Sequence, residues 1–309
     1  MKSLFIIVVA LTAGLSLLGQ QEPMFTHYMY NTLAVNPGYA GSRGALTVTA
    51  LHRSQWIGVK GAPMTQTLTF HSPIPNKNIG LGLSFINDKI GPTNTNSIYA
   101  DFAYRIKLKK ERVFAIGLKG GVNIMTGALS NLEINDGSDG SFTANTSSKL
   151  LPNFGAGLYF STPRSYIGFS APKLLQNSYR EAVVVSNNLR LGERRHYYFI
   201  AGTRFKLSNS TVFKPTTFLK VTGGTPIELD LTGTFVFKDK FSVGAMYRTG
   251  DAIGMLFGVN FTEQFEVSCS YDWSLGFKSG PYNWGSAEIM LRYDLVYKSI
   301  EKIKSSRYF

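Results

Sequence analysis

The sequence predicts an all-β protein: a transmembrane antiparallel β-barrel of about fourteen strands with an N-terminal plug-like segment. Three observations predict it. Apolar residues recur at every second position along almost the whole chain. No run after residue 19 is long and apolar enough to cross a bilayer as a helix. The composition is 44% hydrophobic and 13% aromatic with only 17% charge, yet the apolar residues are dispersed. A soluble β-sandwich also alternates, but it does not need phenylalanine and tyrosine on one face of nearly every strand.

The chain opens with Lys2, an apolar stretch SLFIIVVALTAGLSLL and an abrupt polar turn after Gly19, the pattern of a secretory signal peptide over residues 1–19. An N-terminal membrane anchor is the alternative, although the apolar core is short for a span. Loss of that peptide with Lys2 takes the formal charge from +13 to +12. Such an excess suits an anionic glycolipid surface or an acidic protein partner better than nucleic acid in an exported chain. The single cysteine, Cys269, excludes an intrachain disulfide framework.

Residues 20–44 carry no long alternation. HYMYNTLAVNPGYAGS places an Asn-Pro-Gly turn signal among Tyr28, Tyr30, Leu33, Val35 and Tyr39. So apolar a segment must pack somewhere. It is expected to enter the barrel as a plug through Tyr28, Tyr30, Asn36, Pro37 and Tyr39, or to lie across the periplasmic opening.

The barrel itself is assigned to residues 45–309. In 97–108, Ile98, Phe102, Tyr104, Ile106 and Leu108 share one face with Ala100, against Tyr99, Asp101, Ala103, Arg105 and Lys107. In 227–237, Leu229, Leu231, Phe235 and Phe237 oppose Glu228, Asp230, Thr232 and Thr234. FEVSCSYDWSL sets Phe265, Val267, Cys269, Tyr271 and Trp273 against Glu266, Ser268, Ser270 and Asp272. AEIMLRYDL sets Ile289, Leu291, Tyr293 and Leu295 against Arg292 and Asp294. One face suits lipid and the other a polar lumen.

Connections alternate in length. Short polar turns (KKER, STPR, SNS, KDK, TEQ) alternate with a set that includes long ones at 127–151, 172–194 and 276–285. Short turns belong to the periplasm and long loops to the outside. Trp56, Trp273 and Trp284 then fall near the outer rim, where an indole prefers the interface.

HRSQWIGVKGAPMTQTLTF ends the first strand, turns at a tryptophan and a Gly/Pro segment, and resumes as the second strand. With Leu46, Val48 and Ala50 on the lipid side, Arg53 and Gln55 point into the barrel near its outer mouth. A guanidinium there can bind an inward carboxylate or the backbone of a folded-in segment, either a plug or a partner's tail; otherwise it is solvated in an open pore. Gly61, Ala62 and Pro63 make a compact turn or admit the close approach of another backbone. Arg53, Gln55, Trp56, Gly61, Ala62 and Pro63 are accordingly the candidate partner-binding residues of the outer mouth.

Enzymatic and metal chemistry find little support. The four histidines, His27, His52, His71 and His196, lack metal-ligand spacing, and EINDGSDGS lacks the spacing and terminal glutamate of an EF-hand. No nucleophile elbow is present. No catalytic residue, metal or cofactor is expected, and a barrel enzyme is a distant third reading after an export barrel and a porin.

The two motifs HYMYNTLAVNPGYAGS and HRSQWIGVKGAPMTQTLTF, at this spacing, resemble the N-terminal signature of the PorP/SprF family of type IX secretion outer-membrane proteins of Bacteroidetes. The likeness extends in layout to AEIMLRYDL, whereas residues between about 125 and 195 match no motif. Gly38 stands where the family pattern NPAYAG has alanine. The resemblance implies an outer-membrane barrel associated with other type IX secretion components and embedded in outer-membrane lipid. It would serve gliding motility or adhesion by supporting export and cell-surface anchoring of a secreted adhesin, whose C-terminal sorting domain it binds. The alternative function is a porin or a transporter of hydrophobic solutes.

Overall fold

The computed structural model describes residues 22–128, 146–177, 193–275 and 283–295. The expected signal peptide and the acidic loop EINDGSDGS lie outside the described residues. Fifteen strand segments form one antiparallel sheet. They are β1 (Leu46–Ser54), β2 (Met64–Pro73), β3 (Ile79–Ile90), β4 (Thr93–Leu108), β5 (Arg112–Gly127), β6 (Thr146–Ser161), β7 (Ser165–Ala171) and β8 (His196–Thr203). There follow β9 (Phe205–Lys206), β10 (Thr211–Thr222), β11 (Glu228–Phe237), β12 (Phe241–Arg248), β13 (Ala252–Asn260), β14 (Phe265–Ser274) and β15 (Ser286–Leu295).

Both β8 and β9 pair with β10, so they are one strand interrupted at Arg204, and the wall has fourteen staves. The sheet closes where β1 meets β15, from Leu46 opposite Leu295 to Ser54 opposite Ala287. Closure leaves no edge, the one way a sheet satisfies its backbone in hydrocarbon.

The expected phase holds along each strand singled out above. Ile98, Phe102, Tyr104, Ile106 and Leu108 are exposed outward on β4, while Tyr99, Asp101 and Ala103 are buried inward. On β14, Cys269 and Trp273 face outward and Glu266, Ser268, Ser270 and Asp272 inward. Two connections are tighter than the sequence indicates. β5 continues to Gly127 and β6 begins at Thr146, so their connection is shorter than the expected 127–151. Likewise β3 and β4 pair up to Ile90 opposite Thr93. The polar ends of these strands do not alternate, because the ladder is made by backbone groups and needs no apolar face above the membrane.

The short turns KKER, KDK and TEQ lie at the end of the barrel where β1 starts and β15 finishes. In a Cys269→Ser background, single cysteines replacing Val59 and Asp239 should therefore label unequally on intact cells treated with an impermeant thiol reagent. Val59→Cys is expected to react and Asp239→Cys to be protected; the reverse order would invert the barrel.

Candidate functional site: an occupied lumen and an external rim

Residues 22–45 run down the inside of the wall, from the end carrying the long loops to the start of β1. At the outer end, Glu22 pairs with Lys173, just beyond β7, at 2.8 Å. Burial disfavours the Lys173 ammonium, but the Glu22 carboxylate more than reverses this and holds the group above the ordinary lysine range. At the other end, Arg43 grips Asp294 of β15 through Nε (3.1 Å) and Nη2 (2.6 Å), a two-point contact that also fixes orientation.

The turn motif makes the middle of this segment. Helix α1 (Thr32–Val35) is a single turn and is followed by the 3-10 turn Pro37–Tyr39. Asn36 caps the latter, its Oδ1 accepting from the Gly38 N–H at 2.9 Å, while its Nδ2 donates to the Leu158 carbonyl of β6 at 3.0 Å. Pro37 at the first position already has the turn's φ and lacks an N–H that would need a partner. The Tyr39 ring meets His71 and Tyr159 edge-on, with centroids 5.1 and 5.4 Å apart.

Wall glycines admit this backbone. A Cβ on Gly117 would lie 2.1 Å from the Gly38 nitrogen, and one on Gly80 would lie 2.1 Å from the Ala40 carbonyl oxygen. Any larger residue at either place would collide with main chain. At Gly38 itself, where the family pattern has alanine, a Cβ would sit 3.1 Å from the Tyr159 backbone nitrogen, tight but within reach of a small adjustment.

Arg53 lies at the centre of a buried polar cluster and is 2% exposed. Its Nη1 donates to Thr26 Oγ1 (3.0 Å), Asp272 Oδ2 (2.9 Å) and Glu288 Oε2 (3.2 Å). Glu288 also accepts the backbone N–H groups of Thr26 (3.0 Å) and His27 (2.8 Å), and contacts His27 Nδ1 at 2.6 Å. The Thr26 hydroxyl donates to Asp272 at 2.6 Å, and the other imidazole nitrogen of His27 meets Ser268 Oγ at 2.8 Å. Three strands, β1, β14 and β15, thus converge on two residues of the inner segment. Buried charges are tolerated when paired and hydrogen-bonded; here Arg53 is paired with both carboxylates, although its Nε and Asp272 Oδ1 have no hydrogen-bond partner among the described residues.

Other contacts reach across the lumen. Tyr28 bonds Thr216 (3.0 Å) and Thr232 (3.2 Å) and stacks on Phe218. The Arg292 guanidinium, itself paired with Glu266, lies over the Tyr30 ring at 5.0 Å. Lys119, paired with Asp101 at 3.1 Å, donates to the Leu33 carbonyl, and Ser170 donates to that of Val35. The segment therefore touches opposite sides of the wall, and residues 25–28 and 31–41 are buried.

The structure divides the candidate partner-binding residues. Arg53 is occupied within the chain. Gln55, Trp56, Gly61, Ala62 and Pro63 instead shape an external loop, closed by the Gln55 N–H on the Pro63 carbonyl at 2.9 Å. That loop pairs with the β14–β15 connection: Ile57 donates to Gly285 and Trp284 donates to Ile57, at 2.8 and 2.9 Å. Gly61, at φ 77°, accepts from the Gly91 N–H at the β3–β4 turn. The resulting ledge exposes Ile57, Val59 and above all Trp284, 78% of which is accessible.

Sequence reasoning missed Thr26, His27, Asp272 and Glu288 as partners of Arg53; it placed Trp284 near the outer rim but did not single it out as the most exposed large apolar side chain among the described residues. The inward phase of Asp272 and Glu288 was a signal for the former.

Residues 17–293 match the family described as type IX secretion system membrane protein PorP/SprF. No curated protein matches the chain. Among solved structures it is similar to a KdgM porin (7% identity, TM-score 0.37, covering 81% of this chain and 99% of that one). Another is the Acinetobacter baumannii outer membrane protein Omp33 (9% identity, TM-score 0.41, covering 82% and 100%). With the family matched over most of its length, the chain belongs to the PorP/SprF family of type IX secretion system membrane proteins and is a β-barrel of the outer membrane.

Proposed function

We propose that this barrel supports export and surface anchoring of a secreted adhesin by holding that protein's C-terminal sorting domain on its external rim. One observation carries the reading. The lumen is occupied by the chain's own segment, tied to the wall by ion pairs, while the rim presents Trp284, Ile57 and Val59 on two hydrogen-bonded loops. An exposed aromatic anchor beside aliphatic side chains, held on a braced ledge, is the arrangement that gives protein interfaces most of their binding energy. A porin or hydrophobic-solute transporter would need the space that Tyr28, Asn31, Leu33 and Asn36 fill.

Pull-down of the barrel from native membranes, with mass spectrometry of what accompanies it, tests this reading. Wild-type barrel is expected to bring a secreted surface protein, and the Ile57→Asp/Trp284→Ala variant to bring about tenfold less, as loss of an anchor worth at least 1.4 kcal/mol requires. Heat-modifiable migration should show the variant still folded. A folded variant with its full set of partners would remove the ledge from the binding site.

A further inference from the structure

The outward face of β1–β4 breaks the pattern that a lipid-facing wall should follow. His52 of β1, Gln66 of β2, Asn87 of β3 and Asn96 of β4 are directly in register, His52 opposite Gln66, Gln66 opposite Asn87, Asn87 opposite Asn96. They form one polar row on the outside of the barrel. The row on its periplasmic side is apolar: Ala50, Leu68, Phe85 and Ile98, again in register. Beyond it on the other side stands the exposed Lys89, opposite Asn94.

Its depth makes the polar row unusual. At about 3.3 Å per residue and a tilt of about 40°, His52 lies about 15 Å above Leu46 and Asn87 about 20 Å above Ile79, inside an apolar band about 25 Å tall. On β4 the outward apolar run from Ile98 to Leu108 fills that height, so Asn96 stands just above the band, whereas on β1 the run stops at Ala50 and leaves His52 within it. Asn87 Nδ2 donates to Asn94 (2.7 Å) and Asn96 (2.8 Å), and His52 Nε2 meets Ser54 at 3.1 Å. The Gln66 carboxamide has no partner among the described residues. Polar groups in hydrocarbon need a hydrogen-bonding partner from somewhere. The face is also hollow, a depression of about 560 Å³ lined by this row and the apolar row beside it.

We infer that this depression is a seat for an outer-leaflet glycolipid of the lipopolysaccharide class. The order of chemistry along the wall matches such a molecule: acyl chains against Ala50, Leu68, Phe85 and Ile98; amide and ester linkages against the carboxamides and imidazole; a sugar phosphate beside Lys89. Width favours a multi-chain lipid, because four strands at about 4.8 Å spacing span about 14 Å, more than one two-chain phospholipid covers. The exposed Lys89 beside the polar row favours an anionic headgroup.

The test reconstitutes the full-length barrel in nanodiscs of phosphatidylethanolamine and phosphatidylglycerol, with or without purified lipopolysaccharide, and quantifies what survives mild detergent extraction by native mass spectrometry. Wild type should retain lipopolysaccharide. A His52→Leu/Gln66→Leu/Asn87→Leu variant should retain about tenfold less and, having gained apolar surface, should keep its heat-modifiable migration in phospholipid alone. Lys89→Glu, which leaves the hydrocarbon band untouched, should also lower retention and serves if the triple variant does not fold. Equal retention by wild type and both variants, equally tight phospholipid binding, or a protein cross-linked to this face in native membranes in place of glycolipid would each overturn the assignment.

Discussion

Arg53→Ala is expected to loosen the inner segment from an otherwise intact wall. Without the guanidinium, Asp272 and Glu288 stay buried with less counter-charge, and Thr26 loses one of the two groups that hold its hydroxyl. Breaking a buried pair from one side costs about 3–5 kcal/mol, most of it the penalty of the charge left behind. The strand ladder between β1 and β15 does not use this side chain, so the loss falls on the docking of residues 22–44. Limited proteolysis of the purified, folded barrel should cut the variant inside this segment at a protease concentration that leaves wild type whole. Arg53→Lys, which keeps the charge but not the planar fork, should be intermediate. Equal resistance of Arg53→Ala and wild type would mean that the remaining contacts alone fix the segment.

Phe102→Arg should have the second large effect, for the opposite reason. Phe102 projects into lipid near the middle of the outward run of β4, between Ile98 and Leu108. A guanidinium at that depth costs about 2–4 kcal/mol in a transmembrane barrel. Phe102→Leu, which stays apolar, is the control and should be near neutral. Unfolding in phospholipid vesicles measures both; equal stability of the two variants would place Phe102 away from the midplane. Its neighbour Asp101 is no neutral reference, because it pairs with the buried Lys119.

The wall was legible because a barrel immersed in lipid writes its phase into most of its strands: Asp272 and Glu288 could be assigned inward, and Cys269 outward, from alternation alone. What they do inward could not be read. Arg53 and Glu288 are 235 residues apart in sequence, and only closure of β1 on β15 brings them together. The Asn-Pro-Gly motif announced a turn, yet nothing in its sequence says that Gly117 and Gly80 are notches cut for it. The strand ends at Thr93 and Thr146 were hidden because the sequence there is polar at consecutive positions and so carries no alternation. The rim was half visible: the compact Gly61–Pro63 turn could be anticipated, but not its bracing by Gly285, since two loops meet there only in the closed barrel.

The central claim is that the barrel works at its rim and not through its lumen, and electrical recording addresses it most directly. Purified wild-type protein, shown to be folded by heat-modifiable migration, would be inserted into planar bilayers. With residues 25–41 lodged against opposite walls, the expected result is insertion without stable ion conductance at moderate voltage. A steady, voltage-independent conductance of porin size from the intact wild-type barrel would contradict the account.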